Sequence, residues 1–210
     1  MNFEKVLILA PHTDDGEFGC GGTMAKLISQ GSELHYAALS SAEKSLPPGA
    51  APDALIRELR AALATLDIPE ERQHILNYPV RDFPRHRQAI LDDLLVLKTK
   101  IRPDLVLLPS SADTHQDHQI TYQEGFRAFK DSTMLGYEIP WNNRTFDTEC
   151  FVILDEDQVR AKVAALMCYK SQMGRFYANE DFIRSLAVTR GTQIGVRYAE
   201  AFEVVRWVIR

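Results

Sequence analysis

The chain has only three cysteines in 210 residues, Cys20, Cys150 and Cys168, widely scattered and in no paired spacing. That excludes a disulfide framework and a ribbon-type zinc site, and makes free, buried thiols the expectation. Long hydrophobic runs are also missing. The apolar stretches at 6–11 and 105–109 fall far short of the roughly 20 residues a bilayer crossing needs, so no membrane span is expected. No basic segment leads into a sustained apolar core near residue 1, so no secretory leader is read and the expected location is cytoplasmic. Runs of Lys and Arg are absent, and 24 basic against 29 acidic residues give a formal charge of -5. Nucleic acid is therefore not an expected partner. Repeats and low-complexity segments are not seen either. What is present is ordinary for a folded protein: with 45% hydrophobic and 25% charged residues, 1–210 reads as one domain with a real core.

Patterning then gives an alternation. Residues 6–10 read as a buried strand, 21–30 as a helix with Gly31 as its C-terminal cap, and 33–40 as a second strand. A Pro/Gly/Ala-rich loop covers 41–52, and Asp53 is placed to cap a helix over 54–66 whose Leu55, Leu59, Ala62, Leu63 and Leu66 share a face. A short strand near 74–77, a helix over 86–101 and an apolar strand over 103–109 follow. Continuous apolar strands separated by helices predict an α/β fold, a Rossmann-like, mostly parallel sheet with helices on both faces. The last third departs from this rhythm, with strands near 133–137 and 149–154, helices near 158–171 and 180–189, and a closing strand at 201–209. It reads as a C-terminal α+β elaboration of the same domain.

Two strand-end loops concentrate ionisable groups. "HTDD" follows the first strand and supplies His12, Asp14 and Asp15; "SSADTHQDHQ" follows the strand at 103–109 and supplies Asp113, His115, Asp117 and His118. Open α/β sheets bind ligands beyond the carboxyl ends of their strands. Imidazole and carboxylate together suit zinc, with one of two adjacent aspartates on the metal and its neighbour free to take a proton from the water the metal acidifies. The two histidines of "HQDH" are three apart, so one helical turn can aim both at one centre, one as a ligand and one as a charged donor to a developing oxyanion. The glycines of "GEFGCGG" allow a different chemistry, a turn cradling a pyrophosphate at a helix N-terminus. Asp14, Asp15 and Glu17 oppose it, since like charges repel a phosphate, and glycines for close helix packing explain the same run.

The ordered set "PHTDDGEFGCGGTMAKLISQG", "RELRAALATL", "PDLVLLPSSADTHQDHQ" and "RGTQIGVRYAEAF" resembles the LmbE/PIG-L family of zinc-dependent N-deacetylases across nearly the whole chain. The resemblance implies zinc, or Fe²⁺ or another divalent ion, held by His12, Asp15 and His118, with Asp14 as general base. It implies that His115, paired with Asp117, stabilises the oxyanion or protonates the leaving amine, that Tyr198 stands near the site, and that Arg190 is available to a polar substrate. The implied reaction removes an acetyl or other acyl group from a small N-acylated amino sugar or its conjugate, and a homo-oligomer is left open. Thr13 stands where the family's run usually has Pro, and Gly16 where an acidic residue is frequent. Leu55 occupies the place of an Arg that often precedes the helix Glu, here Glu58, by three residues, and Arg57 lies beside that Glu. Two other readings stay open on sequence: a nucleotide- or S-adenosylmethionine-binding Rossmann-type protein, and a metal-binding member without turnover.

Overall fold

In the computed structural model, which describes residues 3–209, seven strands form one sheet in the order β3-β2-β1-β4-β5-β7-β6. They are β1 Lys5–Ala10, β2 Glu33–Ala38, β3 Gln73–Ile75, β4 Leu105–Pro109, β5 Thr133–Tyr137, β6 Cys150–Leu154 and β7 Tyr198–Arg206. The first five run parallel, and β7 is antiparallel to both β5 and β6. The helices are α1 Asp15–Ser29, α2 Ala54–Thr65, α3 Arg87–Ile101, α4 Gln116–Ala128, α5 Glu156–Leu166 and α6 Glu180–Gln193. No helix among the described residues is long and apolar enough to cross a membrane.

Burial explains the unbroken apolar strands. Val6, Ile8 and Ala10 of β1 enter one core with Leu59 and Leu63 of α2 and Val163 of α5, while Leu7 and Leu9 enter the other with Leu94 of α3 and Ile120 of α4. Because β1 is covered on both faces, no position from Val6 to Ala10 alternates to polar.

α1 begins at Asp15, six residues earlier than the expected helix, and its geometry breaks at Cys20 (φ -146°, ψ 22°). The freed amides after the break are taken by Glu200, which accepts from Gly22 N at 3.0 Å and Thr23 N at 2.7 Å and is itself paired with Lys162 at 2.7 Å. The second half of this helix is the segment the sequence pattern picked out. The first half is helical because its glycines let it lie on the sheet: a Cβ on Gly19 would stand 2.2 Å from the Tyr137 ring. The phosphate-turn reading of "GEFGCGG" is therefore overturned, since these residues form a buried helix and no open anion-binding loop.

Other expectations shift by smaller amounts. Asp53 precedes α2 but makes no capping bond and instead meets Arg57 at 3.1 Å. α5 starts at Glu156 behind a capping box made by Asp155 and Gln158, and the stretch to Ser171 expected as helix ends in a short turn at Lys170–Gln172. β7 starts three residues before the expected strand. All three cysteines are free, but only Cys20 is buried and the others are half-buried. Gly31 does take the left-handed conformation (φ +91°) expected of a helix-ending glycine.

Candidate active site

β1 lies between β2 and β4, and the chain leaves it for β2 on one side and returns as β4 on the other. This is the switch point of a doubly wound sheet, where a crevice opens beyond the carboxyl ends. The loop after β1 carries His12 to Asp14 and leads into Asp15 at the start of α1, and the loop after β4 leads into α4 with His115, Asp117 and His118. Both loops line one cavity of about 320 Å³.

Three donor atoms meet in it. His12 Nδ1 is 3.0 Å from Asp15 Oδ2, His118 Nε2 is 3.2 Å from the same oxygen, and the two nitrogens are 3.4 Å apart. A tetrahedral ion with bonds of about 2.0–2.2 Å spaces its ligands by roughly 3.3–3.6 Å, so the triangle, with sides of 3.0, 3.2 and 3.4 Å, is close to that size and slightly tighter. The outward nitrogens are also fixed. His12 Nε2 lies 3.0 Å from Asp117 Oδ2, and His118 Nδ1 lies 2.7 Å from Asp113 Oδ2. An N–H committed to a carboxylate turns the lone pair of the opposite nitrogen toward the centre. Burial disfavours charge on His118, yet Asp15 and Asp113 outweigh it and raise its pKa to about 10. Burial also works against charge on Asp15, but His118 and His12 hold its pKa well below the usual carboxylate range. The cluster is built to stabilise positive charge at its centre, and the donor set fits a divalent metal.

Ligand atoms of His12, His115 and His118 also lie within 4.8 Å of one another. His115 fits the ligand role less well than Asp15. Its Nδ1 accepts from the Asp117 backbone N–H at 3.2 Å, capping α4, while its own backbone N–H is held by Asp113 at 2.8 Å. With Nδ1 accepting, the proton of the neutral ring sits on Nε2. Burial, then His118 and His12, lower the His115 pKa to about 4, which favours a neutral N–H donor over the charged donor expected from sequence. The Asp117 carboxylate likewise departs from expectation. It orients His12, not His115, and receives the backbone N–H groups of Arg81 at 2.6 Å and Phe83 at 3.3 Å. Arg81 sits at φ +67°, a left-handed conformation that these bonds hold.

Asp14 lines the cavity beside the triangle. Burial and the neighbouring Asp15 raise its pKa to about 6, the range of a base that works near neutrality. Tyr198 is placed elsewhere. It is buried with Leu154, Val159 and Ala187, its hydroxyl donates to Glu156 at 3.0 Å, and it is not among the residues that line the cavity. Arg190 pairs with Glu138, also away from the cavity. Leu55 does line it and makes that wall apolar, whereas Arg57 is exposed and Glu58 accepts from Ser171. Sequence reasoning missed the aromatic wall, where Trp141 stacks on Tyr177 at 3.8 Å and Phe18 meets Trp141 edge-on, and it gave Asp113 no role beyond being a nearby carboxylate.

A doubly wound α/β sheet with a His/Asp cluster that fits a divalent metal at its switch point defines the class. Residues 7–129 match the family model PIG-L, GlcNAc-PI de-N-acetylase. The chain belongs to the PIG-L family. It is 25% identical, over 96% of its own length and 83% of the relative's, to the diacetylchitobiose deacetylase of Thermococcus kodakarensis. Its fold superposes on the conserved protein TT1542 from Thermus thermophilus with a TM-score of 0.80 at 24% identity, covering 99% and 97% of the two chains. It superposes equally widely on GalB, the 4-carboxy-2-hydroxymuconate hydratase from Pseudomonas putida KT2440, with a TM-score of 0.79 at 20% identity, covering 99% and 98%.

Proposed function

We propose that the protein is a divalent-metal-dependent amidohydrolase that removes an acetyl group from an N-acylated amino sugar or a conjugate of one. The observation that carries this is the His12, Asp15 and His118 triangle with Asp14 unligated beside it. A pure binding site has no use for a second, half-buried carboxylate beside the ligands with its pKa raised to about 6. A divalent ion held there, zinc or Fe²⁺, supplies Lewis-acid polarisation of the amide carbonyl and acidifies water.

The chain's own groups do the rest. Asp14 takes the proton from the attacking water. His115 Nε2–H donates to the oxygen on which charge develops as the amide carbon becomes tetrahedral, and Asp14 returns its proton to the nitrogen as the C–N bond breaks. Acetate and a free amine leave. Phe18, Trp141 and Tyr177 give the apolar faces on which a pyranose ring rests, and Arg81, Asn142 and Arg175 line the same cavity as polar partners for its substituents. The name of the Thermococcus relative supports acetylated amino sugars as the substrate class.

GalB, a hydratase, has this fold as well, so fold alone does not choose the reaction. The test is purified protein loaded with Zn²⁺ or Fe²⁺ and given a panel of N-acetylhexosamine derivatives. Equimolar acetate and amine are expected. A metal-loaded protein that releases neither from any member of the panel would overturn the proposal.

A further inference from the structure

Glu17 is wholly buried on α1, two residues after Asp15, and the reaction above does not use it. Its carboxyl meets two tyrosine hydroxyls from separate parts of the chain. Tyr36 of β2 lies 2.5 Å from Oε2, and Tyr169, in the stretch after α5, lies 2.8 Å from Oε1. Both hydroxyls also reach the backbone carbonyl of Thr13, Tyr36 at 3.0 Å and Tyr169 at 2.7 Å, and Tyr36 accepts from Gly16 N at 3.2 Å. The approach is close enough that a Cβ on Gly16 would stand 2.6 Å from the Tyr36 ring.

We propose that Glu17, acting through Tyr36 and Tyr169, is a positioning residue for Asp14. The Thr13 carbonyl belongs to the peptide whose other end is the Asp14 nitrogen. That peptide is planar, so two hydroxyls fixing its oxygen fix the plane from which the Asp14 side chain projects. Glu17 anchors the two hydroxyls in turn: each has one hydrogen to share between the Glu17 carboxyl and the Thr13 carbonyl, and among the described residues that carboxyl has no other side-chain hydrogen-bond partner. The clamp matters at this position because Thr13 has a free φ, whereas a proline ring there would fix φ at about -65°. A base must hold within about 2.6–3.2 Å of the proton it takes, and a displacement of about 1 Å can cost ~100-fold in rate.

This rests on the reading of Asp14 as the base, and the experiment separates the two. Tyr169→Phe, Tyr36→Phe, Glu17→Leu and Glu17→Gln are purified, checked for folding and metal content, and assayed beside the wild type; Tyr169→Phe is also crystallised. Tyr169→Phe removes a single oxygen and carries the test if Glu17→Leu does not fold. The expected result is a kcat lower by roughly tenfold or more in Tyr169→Phe, with KM within about twofold and metal content unchanged. The Thr13–Asp14 peptide is rotated in its crystal structure. Glu17→Gln, which keeps the shape and can bond both hydroxyls, stays within about threefold of the wild type, and adding Thr13→Pro to Tyr169→Phe recovers part of the lost kcat. A role confined to stability would lower the melting temperature and leave kcat at low temperature alone. An unchanged kcat in folded, metal-loaded Tyr169→Phe, or an unmoved peptide in its structure, overturns the proposal. If the wild type releases no acetate, the reaction assigned above has failed, and the crystal structure alone decides: a rotated peptide upholds the clamp and an unmoved one overturns it.

Discussion

His118 and Asp113 are joined by a bond of 2.7 Å between Nδ1 and Oδ2, with both side chains buried. The carboxylate fixes which imidazole nitrogen faces the centre, and such partners typically carry about 10–100-fold in metal affinity. Asp113→Asn should therefore weaken Zn²⁺ binding by about that factor, as read by competition with a chromophoric chelator. Asparagine keeps an oxygen for the His115 backbone N–H, which Asp113 Oδ1 also holds, so α4 should remain capped. Unchanged affinity would show that the ring needs no second partner.

Asp14 gives a prediction in pH. Its pKa is raised to about 6 by burial and by Asp15, and a base acts only when deprotonated. Activity should fall as pH drops through that value, and a bound cation moves the limb to lower pH. Asp14→Asn should cost about 10²–10⁴-fold in kcat and abolish the limb, with metal content unchanged because Asp14 is outside the triangle. Loss of the ion in this variant would instead make Asp14 a ligand.

The sequence exposed the parts of this architecture that hydrophobicity encodes. β5 falls on the expected residues, and the His/Asp loops converge because β1 and β4 are neighbours at the switch point. α4 has no apolar stripe to announce it, since its buried face is built from Asp117, His118, Thr121, Glu124, Gly125 and Ala128 alongside Ile120. The first turn of α1 was hidden for a related reason. Acidic residues and glycines read as a loop until the sheet, with Tyr36 and Tyr137 filling the space that side chains would need, turns them into a buried helix. The pairing of Asp117 with His12 spans 105 positions, and no local pattern chooses between the two histidines it could orient.

Gly19 tests the close approach of α1 to the sheet. Its missing Cβ would stand 2.2 Å from a carbon of the Tyr137 ring, and that ring is tethered by its hydroxyl, which donates to Leu9 O at 2.9 Å. Gly19→Ala should destabilise the protein by about 1–3 kcal/mol or more, measured by urea denaturation. Gly174→Ala, where nothing lies within 4 Å, should be neutral or slightly stabilising, as expected when only the unfolded chain loses freedom. Equal effects at the two sites would mean that α1 can move away from β5 without cost.

His74 makes an acid-stability prediction far from the cavity. Its Nε2 lies 3.1 Å from Nδ1 of His35, whose Nε2 is 3.0 Å from Glu33, and the two rings stack at 5.4 Å. Burial first, then Lys100 and His35, lower the His74 pKa from 6.5 to about 4. The unfolded chain therefore binds a proton that the folded chain refuses. Stability is fully present above about pH 6.5, declines as pH falls, and levels off below about pH 4. Because His74 is only half-buried, solvent screening limits the loss to about 1–2 kcal/mol. His74→Gln should flatten the pH dependence of the unfolding free energy between about pH 7.5 and 4.5 by about that amount, while leaving metal binding intact. A variant as acid-sensitive as the wild type would place the acid lability in other groups, with the buried carboxylates of the His/Asp cluster the next to test.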